Sequence, residues 1–202
     1  MNRIAKNTES YLKIKRSEFI TNIKYVENIE KAKEFISEIS EEHKTANHNC
    51  WAYVVGKKGN IFHSSDQGEP SGTAGKPMLR QLQSHNLTNI VAVVTRYFGG
   101  VKLGIRGLIE AYSSAVEQAV KESGLKRLID YYYFSIQTDY SEFDKIRHYL
   151  EQLENVLFEE GFTTDVKFKI KVKENKLEET KNLLQKFKKN KILEFHHLSN
   201  KK

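Results

Sequence analysis

Residues 89–116 read NIVAVVTRYFGGVKLGIRGLIEAYSSAV, and this stretch determines how the first half of the chain is organised. The segment Asn89–Tyr97 is nearly continuous in β-branched and aromatic residues, which predicts a central strand covered on both faces. Apolar residues then recur at helical spacing from Leu108 to Ala119, which predicts a helix that Gly124 closes. The stretch is therefore a strand and a helix joined by a glycine-rich loop.

The segments before this unit predict further strands and helices. In chain order they are one or two strands within residues 11–26, a helix capped by Asn28, a buried strand at Cys50–Gly56, a loop over residues 57–76 with a short strand at 60–63, and a helix that begins at Pro77.

The pattern starts afresh at residue 130. The predicted elements are a strand at Tyr131–Thr138, a helix with a Ser141/Asp144 cap, strands at Val156–Glu160 and Thr164–Val172, a helix that contains Leu177 and Phe187, and a strand at Ile192–His196. This βαββαβ order is typical of a ferredoxin-like fold. We therefore expect an α+β protein with two domains, 1–128 and 129–202, which meet at Arg127–Asp130.

Composition places the chain among globular proteins of the cytosol. Of its 202 residues, 39% are hydrophobic and 29% are charged, and it has no apolar run of about 18 residues and no apolar N-terminal signal segment. We expect no membrane partner. The single cysteine, Cys50, excludes an internal disulfide and fits a reducing compartment.

The net charge of +7 lies almost entirely in the first half of the chain. Residues 1–129 carry 19 basic and 13 acidic side chains, and residues 130–202 carry 14 and 13. A basic balance favours a polyanion as partner but does not identify it.

The first glycine-rich loop, Ser64–Pro77, reads SSDQGEPSGTAGKP. It ends directly before a predicted helix, whose unpaired amides and dipole favour an anion. The candidate anion ligands are Ser71, Gly72, Thr73, Gly75 and Lys76. The loop is not a P-loop, because a proline follows the lysine. The alternative is that the glycines only give a tight connector its backbone geometry.

The second glycine-rich loop, Gly99–Gly107, also follows a strand and begins a helix. Two such loops at the ends of strands in one sheet are expected to lie close together, which predicts a paired anion site. The candidate ligands here are Arg96, Gly99, Gly100, Lys102 and Arg106. The alternative is that the glycines serve close helix–sheet packing and the basic side chains are solvated.

Asp66 and Glu69 in the first loop are the candidates for an acid/base pair. On a glycine-rich loop, however, acidic residues more often cap turns. His48 and Cys50 lie two residues apart without a second ligand pair at zinc-like spacing. We therefore predict no metal and no cofactor.

A lysine-rich face is predicted in the second domain. Apolar residues and lysines alternate along the strand that begins at Thr164, and this strand is expected beside the first strand of the domain. The residues of this face are Tyr131, Tyr133, Lys167, Lys169, Lys171 and Lys173. A basic face with aromatic residues is suited to single-stranded nucleic acid, whereas the alternative is the solvated side of an antiparallel sheet.

The two loops, together with the upstream segment HNCWAYVVG at residues 48–56, resemble the YigZ/IMPACT family over nearly the whole chain. The resemblance implies an N-terminal domain like the second domain of ribosomal protein S5 and a C-terminal domain like one at the end of elongation factor G. It also implies a link to translation, since eukaryotic relatives act in translational control through protein contacts that restrain a stress-responsive initiation-factor kinase.

Two positions depart from the family pattern. Gln67 stands where the family usually has a second aspartate, which weakens a paired-carboxylate mechanism. Arg106 stands where bacterial members commonly have a glycine. Either the backbone there does not need a positive φ, or this chain has gained a cation.

We expect a non-enzymatic, translation-associated binding protein that contacts RNA, the ribosome or a regulatory protein through its glycine-rich loops. One alternative is an enzyme acting on a phosphorylated or nucleotide substrate, with Asp66 or Glu69 as acid/base and Lys76, Arg96 and Lys102 as phosphate clamps. A third is a pure protein-interaction module.

Overall fold

The computed structural model describes residues 1–129, 131–154, 156–162, 165–190 and 192–198, with the backbone alone for 156–162. Asp130, where the predicted domain junction ends, and Thr164, where a predicted strand begins, lie outside the described residues. The chain divides into two compact units, Met1–Leu128 and Ile129–Lys202. Within the described part, no helix is both long enough and apolar enough to span a membrane.

The first unit is built on a five-stranded antiparallel sheet in the order β2-β3-β6-β4-β5. Its strands are β2 (Thr8–Ile14), β3 (Ser17–Tyr25), β4 (His48–Val55), β5 (Ile61–Ser65) and β6 (Ile90–Tyr97). The prediction of a central strand is confirmed, because β6 lies in the middle of the sheet and is buried from Ile90 to Arg96.

Helices cover both faces of this sheet, which explains the continuous apolar sequence of β6. They are α1 (Ile29–Glu42), α2 (Gly75–Ser84) and α3 (Gly104–Ser123). On β6, Ala92 and Val94 belong to the core formed with α2 and α3, whereas Val91 and Val93 pack with α1. Each face therefore buries alternate residues of the same strand.

The predicted helix ends follow from local chemistry. The side chain of Asn28 accepts a hydrogen bond from the Lys31 amide and caps α1. Gly124 ends α3 with φ at 67°, a conformation that glycine adopts without steric cost. A small sheet of β1 (Asn2–Ile4) and β7 (Leu125–Arg127) also joins the two ends of this unit, and the sequence analysis missed it.

Strand direction brings the two glycine-rich loops to one edge of the sheet. Both β5 and β6 pair antiparallel with β4, so they run in the same direction. The first loop leaves the end of β5 and the second leaves the end of β6. The loops consequently start on the same side of the molecule.

The second unit is a four-stranded antiparallel sheet in the order β11-β8-β10-β9, which confirms the ferredoxin-like prediction. Its elements are β8 (Tyr131–Thr138), α4 (Tyr140–Gln152), β9 (Val156–Phe162), β10 (Val166–Lys173), α5 (Leu177–Lys189) and β11 (Leu193–Leu198). The predicted Ser141/Asp144 cap is wrong. Because α4 begins at Tyr140 after Asp139, Ser141 lies inside its first turn.

Candidate functional site

Asp66 fills the helix terminus at which an external anion was predicted. Its Oδ2 accepts a hydrogen bond from the Gly72 amide at 2.8 Å, and its Oδ1 accepts from the amides of Ala74 at 2.9 Å and Gly75 at 2.8 Å. The amides that were expected to bind a ligand are therefore occupied by a carboxylate of the same loop. The anion site predicted at the start of α2 is corrected on this ground.

The protonation of Asp66 agrees with a structural role. Burial acts to raise the pKa of Asp66, but the amides of Gly72, Ala74 and Gly75, helped by the charge of Lys76, outweigh burial and lower that pKa. The predicted acid/base role of Asp66 is disfavoured, because both oxygens of its carboxylate already accept hydrogen bonds from backbone amides.

The other predicted residues of the first loop do not form an anion site either. The amide and the hydroxyl of Thr73 both donate to the carbonyl of Pro70, at 3.1 and 2.7 Å. The side chains of Ser71 and Lys76 are both exposed. Gly75 is required for close approach, since a Cβ there would lie 2.8 Å from the backbone of Ser65.

Glu69 and Arg96 form a buried ion pair, which corrects the prediction that Arg96 is a phosphate clamp. Arg96 Nη1 lies 2.6 Å from Glu69 Oε1, and the side chains are only 6% and 3% exposed. The same Glu69 oxygen accepts from the Tyr112 hydroxyl at 2.9 Å. Arg96 Nη2 also donates to Ser17 Oγ at 3.4 Å, so its guanidinium is the internal counter-ion of Glu69.

Two polar atoms of this pair have no partner in the part of the chain that the structure describes. Arg96 Nε is buried without a hydrogen bond. All the polar contacts of Glu69 with described side chains involve Oε1, which leaves Oε2 unpaired. Buried polar atoms in native proteins are nearly always satisfied, so Arg96 Nε is an exception, whereas Glu69 Oε2 is not among the fully buried atoms.

His48 lies beside this pair with its tautomer fixed. Its Nδ1 is 2.9 Å from the Gln67 carbonyl oxygen, which can only accept, so Nδ1 carries the hydrogen. Its Nε2 lies 3.9 Å from Glu69 Oε1. From the sequence, His48 was a candidate only for metal binding. Its position in the HNCWAYVVG segment, which carries the family resemblance, was the feature that pointed to a role in the cavity.

The buried thiol of Cys50 contacts the first loop and helix α3. Its Sγ lies 2.8 Å from the Asp66 carbonyl oxygen and 3.4 Å from the Tyr112 hydroxyl. Burial raises the pKa of the Cys50 thiol to about 12, which makes it a poor nucleophile. Burial also raises the pKa of Tyr112, so this hydroxyl stays protonated.

A cavity of about 390 Å³ lies between the two loops. Its lining residues come from both loops, from β4 and from the start of α3. They are Asn47, His48, Glu69, Pro70, Arg96, Phe98, Lys102, Leu103, Gly104, Ile105 and Leu108. The paired loops thus enclose one space, and of the predicted site residues it contains Glu69, Arg96 and Lys102.

Three predicted residues of the second loop lie outside the lining. Gly99 packs against the β2–β3 turn, where a Cβ would lie 2.0 Å from the Arg16 carbonyl oxygen. Gly100 has φ at 84°, which glycine tolerates. Arg106 lies in α3 with its side chain 94% exposed and pairs with Glu110 at 3.4 Å. The position therefore does not need a positive φ.

The start of α3 differs from the start of α2. In the described structure, no side chain caps the start of α3 at Gly104, and the first turn of this helix contains no acidic residue. Leu103, Gly104 and Ile105 at this terminus line the cavity. The free amides of a twenty-residue helix therefore lie at the cavity wall.

The lysine-rich face of the second unit exists as a surface, with part of its charge already engaged. In β10, Val166, Phe168, Ile170 and Val172 are buried and the intervening lysines are not. Lys171 Nζ lies 4.0 Å from the centre of the Tyr131 ring, and Lys173 pairs with Glu154 at 2.8 Å. Lys171 lies opposite Tyr133 in the β8–β10 register. The nucleic-acid role of this face stays a prediction.

Comparison with known proteins gives consistent matches over both units. Residues 15–120 match the family model described as the Impact N-terminal domain, and residues 136–187 match a domain of unknown function, DUF1949. An IMPACT family member of Haemophilus influenzae is 39% identical over 169 residues, which is 82% of this chain and 81% of that protein.

Two further relatives and one solved structure agree with these matches. YvyE of Bacillus subtilis is 40% identical over 82% of this chain and 76% of its own, and YigZ of Escherichia coli is 36% identical over 78% of each. A crystal structure described as that of a hypothetical protein covers 99% of this chain and 98% of its own, at 31% identity and a TM-score of 0.63.

Proposed function

The chain belongs to the IMPACT family, and from that premise we propose that it is a translation-associated regulatory protein that acts by binding RNA, the ribosome or a regulatory protein. Family membership supports the link to translation, because the eukaryotic members of this family are associated with translational control. The N-terminal unit supplies the binding site.

The cavity between the two loops is the observation that carries this proposal. It is lined by both loops, and it contains a buried carboxylate and a buried guanidinium that each retain an unpaired atom in the described structure. The loops that surround it are held rigidly, by Asp66 in one case and by the close approach of Gly99 to Arg16 in the other. A rigid cavity with unsatisfied polar groups is suited to binding.

Binding is favoured over catalysis because the predicted acids have internal partners. Asp66 is bonded to three amides, and Glu69 Oε1 is held by Arg96 and Tyr112. The enzyme alternative retains one supporting feature, since His48 Nε2 and Glu69 face the same cavity. Conversion of a nucleoside phosphate by the purified protein, lost in His48→Asn, would favour that alternative.

The proposal is tested by capturing tagged protein from lysate with and without nuclease. Wild-type protein and the Lys76→Ala control are expected to retain ribosomal or other translation components, and Lys102→Ala is expected to lose them. Both lysines belong to the glycine-rich loops, but only Lys102 lines the cavity. Retention that is the same for the two variants, or no enrichment of translation components, would contradict the proposal. The nuclease arm separates contact through RNA from direct protein contact.

A further inference from the structure

We propose that the cavity binds a ribonucleotide, with its phosphate at the start of α3 beside Lys102, a ribose hydroxyl at Glu69, and its base against Phe98. This inference rests on the proposed binding function of the same site. The nucleotide is either a free mononucleotide or a nucleotide unit of RNA, since both carry the same three groups.

The phosphate position follows from the contrast between α2 and α3. Asp66 accepts hydrogen bonds from the amides of Ala74 and Gly75 at the start of α2, whereas no side chain caps α3 in the described structure. A helix N-terminus attracts an anion through its free amides and its dipole. Lys102 lines the cavity at this terminus and has no ion-pair partner among the described residues. Because Glu69 and Arg96 neutralise each other, the lysine gives the cavity a net positive charge.

The ribose position follows from the unpaired oxygen of Glu69. Glu69 Oε2 has no hydrogen-bond partner among the described residues and, as a carboxylate oxygen, can only accept a hydrogen bond. The Glu69 side chain is more than nine-tenths buried and lines the cavity. A hydroxyl group can donate a hydrogen bond to the free carboxylate oxygen, whereas a second anion would be repelled by Glu69. Recognition of ribose hydroxyls by a carboxylate is well established in dinucleotide-binding proteins.

The base position follows from an exposed aromatic ring at the cavity. Phe98 is 44% exposed, and the Arg96 guanidinium lies 5.5 Å from its ring centre. Aromatic side chains stack on nucleic acid bases without requiring a particular sequence. Leu103, Ile105 and Leu108 add an apolar wall. The volume of about 390 Å³ is within the range of small-molecule sites.

The test measures binding of AMP to the full chain by calorimetry, with adenosine, 2′-deoxy-AMP and inorganic phosphate as comparison ligands. AMP is expected to bind at least about tenfold more tightly than adenosine or 2′-deoxy-AMP, because each lacks one charged or buried hydrogen bond. Lys102→Ala is expected to weaken AMP binding about tenfold and to leave adenosine unchanged.

Exposed residues provide the matched controls. Phe98→Ala is expected to weaken both AMP and adenosine, whereas Phe62→Ala, which removes another ring that is 50% exposed, should change neither. Lys76→Ala should also bind AMP normally, because Asp66 occupies the terminus beside it. Unfolding midpoints of all four variants establish that the fold is intact.

The source of the nucleotide is decided by a short oligoadenylate. If the RNA binds more tightly than AMP and the gain depends on Lys102, the natural ligand is RNA; equal affinity indicates a free nucleotide. Absence of AMP binding at millimolar concentration, or binding unaffected by Lys102→Ala, overturns the ribonucleotide proposal. If the Lys102-dependent capture of translation components persists in that case, the proposed function stands without the nucleotide. If capture fails as well, both are wrong.

Discussion

Asp66 decides what the first loop can bind, because one carboxylate satisfies three amides of the loop and of the following helix. A loop rich in glycine next to a helix start is typical of anion sites. Here the anion is supplied from within the chain, six to nine residues before the amides. The site for an external ligand is thereby shifted to the second loop.

Asp66→Asn is expected to destabilise the first unit by about 0.5–2 kcal/mol at neutral pH, the range for loss of a helix cap. The pKa of Asp66 is lowered in the folded state, so its contribution is present above the unfolded pKa of about 3.9 and is lost as pH falls through the folded value. Thermal unfolding from pH 7 to pH 2 checks this. The variant should lose less stability than wild type below about pH 4. The exposed control Asp144→Asn should match wild type at pH 7, and a wild-type-like Asp66→Asn would contradict the capping role.

Arg96→Met is expected to cost about 3–5 kcal/mol, because it leaves the Glu69 carboxylate buried without its counter-ion. Urea denaturation measures the loss. The matched control is Lys13→Met, which breaks a pair whose side chains are 68% and 58% exposed and should cost at most about 1 kcal/mol. The double variant Glu69→Gln/Arg96→Met should lose less than the sum of the two single variants. Strict additivity would show that the two side chains do not stabilise each other.

At the scale of elements, close packing fixes the start of α2 against the end of β5. A Cβ on Gly75 would lie 2.8 Å from the backbone of Ser65, and backbone cannot move aside as a flexible side chain can. Gly75→Ala is therefore expected to destabilise the unit by about 1–3 kcal/mol, as overpacking does. The exposed control Gln83→Ala on the same helix should stay within about 0.5 kcal/mol. Equal unfolding midpoints for the two variants would contradict this account.

The sequence best predicted the helices and strands whose hydrophobic patterns extend over many residues. The continuous apolar run of β6 and the apolar stripe of α3 each extend over the whole element, because each faces a large core. By contrast, β1 and β7 have three residues each, which is too short for a period to appear. The start of α4 was predicted wrongly because Ser141 and Asp144 match a capping pattern, whereas the residue at the N-cap, Asp139, makes no side-chain cap hydrogen bond in the described structure.

The position of the candidate site could be predicted from the sequence, but the partners of its individual side chains could not. The loops converge because β5 and β6 run in the same direction, and loop position follows from strand order. The partners of individual side chains depend on distances in space. Arg96 and Glu69 are 27 residues apart and Tyr112 is 43 residues from Glu69, so no local pattern shows that they meet.

In the whole molecule, each unit has hydrophobic clusters of its own among the described residues, which indicates two folding units. One core is formed in the first unit by residues such as Phe19, Met78 and Tyr112, and another in the second by Phe134, Ile146 and Phe168. We predict that fragments 1–128 and 129–202, expressed separately, each unfold cooperatively. Circular dichroism during heating measures this. An unfolded 129–202 fragment would show that the second unit depends on the first.

Sedimentation with ribosomes distinguishes between two candidate binding surfaces of the protein in one experiment. Wild type, Lys102→Ala and the lysine-face double variant Lys169→Glu/Lys171→Glu are expressed in cells, and extracts are fractionated by sedimentation to measure co-migration with ribosomes. If the cavity between the loops is the binding site, Lys102→Ala moves to the free fractions while the double variant stays with wild type. Loss of co-migration in the double variant, with Lys102→Ala unchanged, would contradict it and assign binding to the second unit.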